Sequence, residues 1–359
     1  MNFNQALALV MFVCFLAGVA DHVLGGRLGL SSEFENGLMT CGRLLLCMGG
    51  FMVLAPVIAR VLGPVAAPFF RSFGADPSIF AGMLLANDAG GAVLAMELAD
   101  SQQAGQFSGL IVGAMLGTTM MLTIPTTMGL ATQEERPSVI YGILCGIITL
   151  PLGCLAGGFA AGFPASVVLP NTVPVLVLSI FLLIVLLFLG EKVVPAFSAF
   201  GKVITGISLL GLACGAAESL LGLRLLSGMN TLNNVFPVVG GIAVYLAGAF
   251  VLLAVVRRVL VVPLASMGRW LKINSTSVSA LILALANALP PIMMSHDMDE
   301  RGRMLNIAFI VSAGCLLGDH LAFTAQIAPE LCAAVLVGKA AAGVTAFGAA
   351  FILAPKLLR

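Results

Sequence analysis

Apolar stretches follow one another along the whole chain, with only short polar connections between them. A helix needs about 20 mostly apolar residues to cross the hydrocarbon of a bilayer. Stretches of this order run at roughly 5–24, 38–62, 77–99, 104–131, 138–163, 172–190, 199–222, 235–262, 276–296, 304–327 and 329–355. Every backbone N–H and C=O placed in lipid must be satisfied internally, so helices and closed barrels are the available solutions. The runs are continuous rather than alternating with period two, which disfavours a barrel. The sequence therefore predicts an all-α, polytopic integral membrane protein with about 11 hydrophobic segments, its main partner being the lipid bilayer.

Composition narrows the function. Charged residues make up 9% of the chain, against about 25% in an ordinary soluble domain. That is too little polar surface to cover a globule, which excludes a soluble enzyme and a disordered regulator. A net charge of +1 offers no basic field for phosphate backbones, so no nucleic-acid partner is expected. The eight cysteines fall mostly inside apolar spans and form no C-x-x-C pair. They read as packing residues, with no disulfide framework, metal centre or cofactor implied. No basic segment opens the chain, so the first span reads as retained rather than as a cleaved signal.

An internal duplication organises the spans. Ala20-Asp21-His22-Val23-Leu24-Gly25 resembles Ala217-Glu218-Ser219-Leu220-Leu221-Gly222, and Ala86-Asn87 matches Ala286-Asn287. Leu116-Gly117 matches Leu317-Gly318 further on. The order is kept while the offset drifts slowly, as small loop insertions would produce. The expected organisation is a five-segment repeat over 1–165, a linking transmembrane helix within 166–198 and a second five-segment repeat over 199–359. If every segment crosses, the halves lie parallel. Arg60, Arg71, Arg257, Arg258, Arg269 and Lys272 then share the cytoplasmic face, and Lys356 and Arg359 fall outside. If 77–99 and 276–296 re-enter instead, the halves are inverted.

Ionisable groups in the spans are where chemistry is expected, because each costs at least about 2.5 kcal/mol at the bilayer centre. Asp88 lies midway through 77–99, in Ala86-Asn87-Asp88-Ala89-Gly90-Gly91. The glycine pair is a poor helix continuation. An unwound centre exposes carbonyl and amide groups to a small polar solute. Asn87 adds both a donor and an acceptor. The matching place in the second half keeps the amide, Asn287, loses the acid and breaks the helix with Pro290-Pro291. A second acid stands in Gly318-Asp319-His320, opposite Thr118-Thr119 of the first half. Asp88 and Asp319 can then line one cavity, or Asp319 and His320 can brace the helix as a self-satisfied pair. Phe323 shares the helix face of Asp319 and offers an aromatic surface to a cation, or simply packs. Lys339 either snorkels or neutralises a buried acid. The polar loop His296-Asp297-Met298-Asp299-Glu300-Arg301-Gly302-Arg303 would serve a metal-dependent membrane enzyme together with Asp319 and His320, or it is a solvated turn that caps two helices.

Several stretches resemble the ethanolamine permease family of ethanolamine-utilisation operons, EutH. They include Leu54-Ala55-Pro56-Val57-Ile58-Ala59, Pro77-Ser78-x-Phe80-Ala81-Gly82, Asp88-x-Gly90-Gly91 and Ser108-Gly109-Leu110-Ile111. The second half adds Met298-Asp299-x-Arg301-Gly302, Leu317-Gly318-Asp319-His320-Leu321 and Val337-Gly338-Lys339. The likeness covers nearly the whole chain. It departs from the family pattern in lacking a larger loop after the fifth span and a hydrophilic C-terminal tail.

The resemblance implies a multi-pass permease of the bacterial cytoplasmic (inner) membrane that takes up ethanolamine, not an enzyme. The substrate-binding residues expected on this basis are Asn87, Asp88, Thr118, Thr119, Asn287, Asp319, His320 and Phe323. A homo-oligomer is compatible with it. A channel-like amine facilitator and a membrane-embedded metal-dependent enzyme are the alternatives.

Overall fold

The computed structural model describes residues 3–259 and 261–358, so Arg359 lies outside the described residues. No strand occurs among the described residues. Eight helices among the described residues are long and apolar enough to cross a membrane. They are α1 (Phe3–Val23), α2 (Ser31–Ser72), α5 (Gln102–Leu130), α6 (Arg136–Ala160), α7 (Ala165–Leu189), α8 (Val194–Leu221), α9 (Leu232–Val259) and α15 (Pro329–Leu357). The other helices are α3 (Ile79–Leu84), α4 (Gly91–Leu98), α10 (Val261–Leu271), α11 (Ser275–Ala286), α12 (Leu289–Met293), α13 (Glu300–Ala313) and α14 (Asp319–Ile327). The other three of the eleven expected hydrophobic segments are built differently. The stretches 77–99, 276–296 and 304–327 are apolar enough but interrupted.

The interruptions have distinct local causes. After α3, Leu85 and Ala86 turn extended, and Gly90 takes a φ of 94° before α4 begins. That left-handed backbone suits glycine, and a Cβ there would also strike the Phe51 ring. After α11, Asn287 is extended, and Pro290 follows within the first turn of α12. After α13 the chain opens at Gly314, and the Cys315 and Leu317 amides donate to the Ala284 and Leu285 carbonyls, each at 2.8 Å. The loose end of α11 thus finds its missing partners in the loose start of α14.

Both hydrophobic stretches that begin with a broken helix return to the end from which they came. The Asp100 amide donates to Asp76 Oδ2 at 3.0 Å, so the two ends of 77–99 touch. Arg71 at the foot of α2 closes the same corner, with Nη2 at 2.6 Å from Asp100 Oδ1. The Arg71 guanidinium holds the Asp100 carboxyl below its ordinary range. In the second half the Asn274 amide donates to Asp299 Oδ1 at 2.8 Å, and its side-chain amide donates to the Asp297 carbonyl at 2.8 Å. At about 1.5 Å per residue, neither α3 nor α4 approaches the 30 Å of hydrocarbon. Re-entry also separates the basic loops. Arg258 donates to the Leu28 and Gly29 carbonyls just before α2 begins, whereas Arg71 ends α2. These loops lie at opposite ends of one helix, so the shared basic face expected for parallel halves is not formed.

Packing is reciprocal between the halves. A Cβ on Gly50 of α2 would overlap the Ser208 carbonyl of α8, and one on Gly248 of α9 would overlap the Met11 carbonyl of α1. Small residues let helices approach this closely in lipid. The connection between α1 and α2 hangs on Asp21, which is 1% exposed. Its carboxylate accepts from the Leu28, Leu30 and Ser31 amides at 2.6, 2.7 and 2.9 Å. Asp21→Ala removes the shared acceptor of three amides, and the thermal unfolding midpoint should fall. The check is thermal unfolding of purified protein in detergent, where an unchanged midpoint would refute the anchoring role.

Candidate functional site

The tip of the first hairpin, the middle of α5, the start of α14 and the middle of α15 converge. Between them and α2, α8 and α9 lies a cavity of about 360 Å³. Asp88, Thr118, Asn287, Asp319 and His320 all line it. Two carboxylates from different halves therefore face one void. The α5 backbone at this level is a π-helix over Phe107–Gly117 and Thr119–Thr123, a wider coil that recurs at functional sites.

One chain of hydrogen bonds fixes the wall behind the cavity. Lys339 on α15 is 1% exposed, and its Nζ donates to the Ala114 carbonyl at 2.8 Å. The same amino group lies 2.6 Å from His320 Nδ1. An ammonium has no lone pair, so Nδ1 accepts and the imidazole proton sits on Nε2. Nε2 then donates to Thr118 Oγ1 at 3.2 Å, and the Thr118 hydroxyl donates to the Gly113 carbonyl at 3.0 Å. Asp88 Oδ1 is 3.9 Å from the same Nε2. His320 is thus held in one tautomer, between a cation and the cavity.

Five of the eight residues expected at the site line the void, and three stand behind it. Asn87 is fully buried, and its Nδ2 donates to the His320 carbonyl at 3.1 Å. It braces the α14 start. Its Oδ1 has no hydrogen-bond partner. Asn287 instead accepts from the Leu289 amide at 2.9 Å and faces the cavity, so the matched pair has diverged in role. Thr119 bonds to the Met115 and Val311 carbonyls, and Phe323 is fully buried in the apolar core. Lys339 does not snorkel. Sequence reasoning noted its charge in the last span but had no signal joining it to His320.

A second cavity of about 300 Å³ shares Arg43, Phe250, Ala286 and Asn287 with the first. Its far lining includes Glu33 and Arg257, whose charged groups are 3.6 Å apart. The second cavity therefore adjoins the first on the side of the molecule that carries Arg257.

The metal-enzyme arrangement is not assembled. His296 Nδ1 lies 2.8 Å from Glu135 Oε1, and Asp299 caps α13 through the Gly302 amide. Buried Arg303 ties this corner to the Ser295 and Met298 carbonyls. The whole length of α13, about 20 Å at 1.5 Å per residue, separates it from Asp319. Ligand atoms of Cys315, Asp319 and His320 do lie within 4.8 Å of one another. The Lys339 ammonium on His320 fits a metal cation there poorly.

The family described as "Ethanolamine utilisation protein, EutH" matches residues 3–353. The chain belongs to the EutH family. It is 40% identical over 359 residues to the "Probable ethanolamine permease EutH" of Listeria monocytogenes, covering 100% of this chain and 96% of that one. The Escherichia coli protein of the same name is 36% identical over 394 residues, covering 99% of this chain and 97% of its own. A Bacillus subtilis relative named "Uncharacterized protein YxeR" is 38% identical over 355 residues, covering 99% and 96%. No solved structure matches the chain. As an EutH member with eight membrane-length helices, it is a multi-pass membrane protein, and the relatives named for a role are named as permeases rather than enzymes.

Proposed function

We propose that this EutH chain carries ethanolamine, as its monocation, across the bacterial cytoplasmic membrane. A primary alkylamine resembles the lysine head group, with a reference pKa of about 10.4, so it is charged at neutral pH. The cation meets a large desolvation cost in lipid. A protein route matters most when acidity depletes the neutral form. The observation that carries the reading is the shared cavity of Asp88 and Asp319. One carboxylate receives the ammonium, and Asn287 and Thr118 are within the same lining to receive the hydroxyl.

The proposed architecture is two inverted five-segment repeats joined by α7. In it α13 and α14 together make one interrupted passage beside the eight long helices, and the two hairpins re-enter. Paired interrupted segments at a repeat interface are the usual setting of a carrier site. The support is the pairing of Asp76 with Asp100 and of Asn274 with Asp299. By the positive-inside rule, the end with Arg257, Arg258, Arg269 and Lys272 faces the cytoplasm. The N-terminus of α1 then lies outside. Introduced cysteines tested with a membrane-impermeant thiol reagent on whole cells should label at position 4 and not at position 272. The reverse pattern would refute this orientation.

The deciding functional experiment is uptake of labelled ethanolamine into proteoliposomes, with and without unlabelled substrate inside. A carrier shows acceleration by internal substrate. Uptake without that acceleration would favour the channel-like facilitator, and no uptake at all would sink the transport reading.

A further inference from the structure

We propose that Lys339 is a resident counter-cation, standing in the place of a co-transported ion, so that the substrate cation moves alone. The inference rests on the transport reading above and adds its coupling. Two carboxylates, Asp88 and Asp319, face a cavity meant for a solute with one positive charge. Carrying two carboxylates and one cation through a low-dielectric barrier would leave one charge unpaired, at a cost of several kcal/mol. A symporter meets this by binding sodium or a proton with the substrate. Here a third charge is built in.

The charged and titratable groups around the cavity come from every element that packs on it. The hairpin gives Asp88, α14 gives Asp319 and His320, the segment before α14 gives Cys315, α2 gives Cys47 and Arg43, and α15 gives Lys339. Among them Lys339 is the buried basic side chain, joined to the cavity wall through His320. It does not line the cavity, so it cannot leave with the solute. The Ala114 carbonyl and His320 Nδ1 hold it. The neighbouring Gly338 packs against the Gly153 backbone, pinning that turn of α15. His320 spends its Nδ1 lone pair on Lys339 and therefore adds no charge. Arg43 is exposed and lies where the two cavities adjoin, so it is not counted with the buried groups. Two carboxylates, Lys339 and one substrate cation sum to zero in the loaded cavity.

The test uses the native protein in proteoliposomes, with labelled ethanolamine and with charge movement read on a supported membrane. The expected result is uptake driven by an imposed membrane potential, at equal rates with sodium, potassium or choline as bulk cation and with or without a proton gradient. The reversal potential should move by about 59 mV per tenfold ethanolamine gradient, the value for one charge per substrate. Uptake that requires sodium or an inward proton gradient overturns the inference while leaving ethanolamine transport intact. No uptake under any ionic condition overturns the transport reading and this inference with it. Lys339→Met supplies the second arm. Its uptake should fall at least 10-fold, and the remainder should become dependent on sodium or on external acid, whereas Lys339→Arg should keep the native ion independence. A purely structural role would lower the rate of Lys339→Met without creating an ion requirement, and that outcome overturns the inference. If Lys339→Met does not fold, the native reversal potential decides alone.

Discussion

Asp88→Asn should take up labelled ethanolamine at one-hundredth of the native rate or less when substrate is scarce. The substitution keeps the shape of the side chain and removes its charge. Asp88 lies in a single 3-10 turn between two short α-helices, lines the cavity and is 8% exposed, so little water is available to replace it. Removing one partner of a buried charge pair costs about 3–5 kcal/mol. At about 1.4 kcal/mol per factor of ten, that is a loss of roughly two to three and a half decades in affinity or rate. Asp88→Glu restores the charge but pushes it about one methylene further, and partial recovery is expected. The measurement is initial uptake at low substrate and acidic pH, with folding checked by thermal unfolding of each variant. Uptake by Asp88→Asn at the native rate would remove the carboxylate from the proposal. Asp319→Asn separates the two acids. Its amide oxygen still accepts from the His320 amide, a bond of 3.0 Å in the native protein, so a loss there reads charge rather than helix support.

How much of this was legible in the sequence depends on the range of the interactions that decide it. Gly90-Gly91 and Pro290-Pro291 announce a helix break locally, and both breaks stand where the residues place them. Asp88 and Asp319 are also local signals, because an acid in an apolar run is costly and conspicuous. The interruption at 314–318 is not local. Gly314 and Gly318 are not adjacent as the glycine pair is, and the backbone between them donates to the Ala284 and Leu285 carbonyls some thirty residues earlier. Re-entry is decided by pairs such as Asp76 with Asp100, which look like ordinary loop residues until their distance is known. Lys339 joins the site through Ala114, 225 residues away. Asn87 and Asn287 match in sequence and differ in placement, since the second lines the cavity and the first stands behind it. A match in sequence does not carry the packing neighbours with it.

The other large effect should come from a position with no charge at all. Gly318→Val should prevent accumulation of folded protein, or lower its unfolding free energy by more than about 3 kcal/mol. A Cβ at Gly318 would overlap the Ala286 carbonyl oxygen, and one at Gly117 would overlap the Leu85 carbonyl oxygen. In both halves, then, a glycine lets a second element lie directly on the carbonyl that the broken helix leaves free. Those carbonyls belong to rigid backbone and cannot swing aside like a side-chain tip. Moving them would shift Asn287 in one half and Asn87 with Asp88 in the other. Gly117→Val should therefore resemble Gly318→Val in stability, and milder Ala substitutions that still fold should impair uptake more than unfolding predicts. Gly42 and Gly129 are the controls, because nothing lies within 4 Å of a Cβ at either. Alanine there should leave melting temperature and uptake unchanged. If Gly117→Val and Gly318→Val melt like Gly129→Ala, the close approach at the two breaks does not hold the site together, and the carboxylates must owe their placement to the α14–α15 bond network instead.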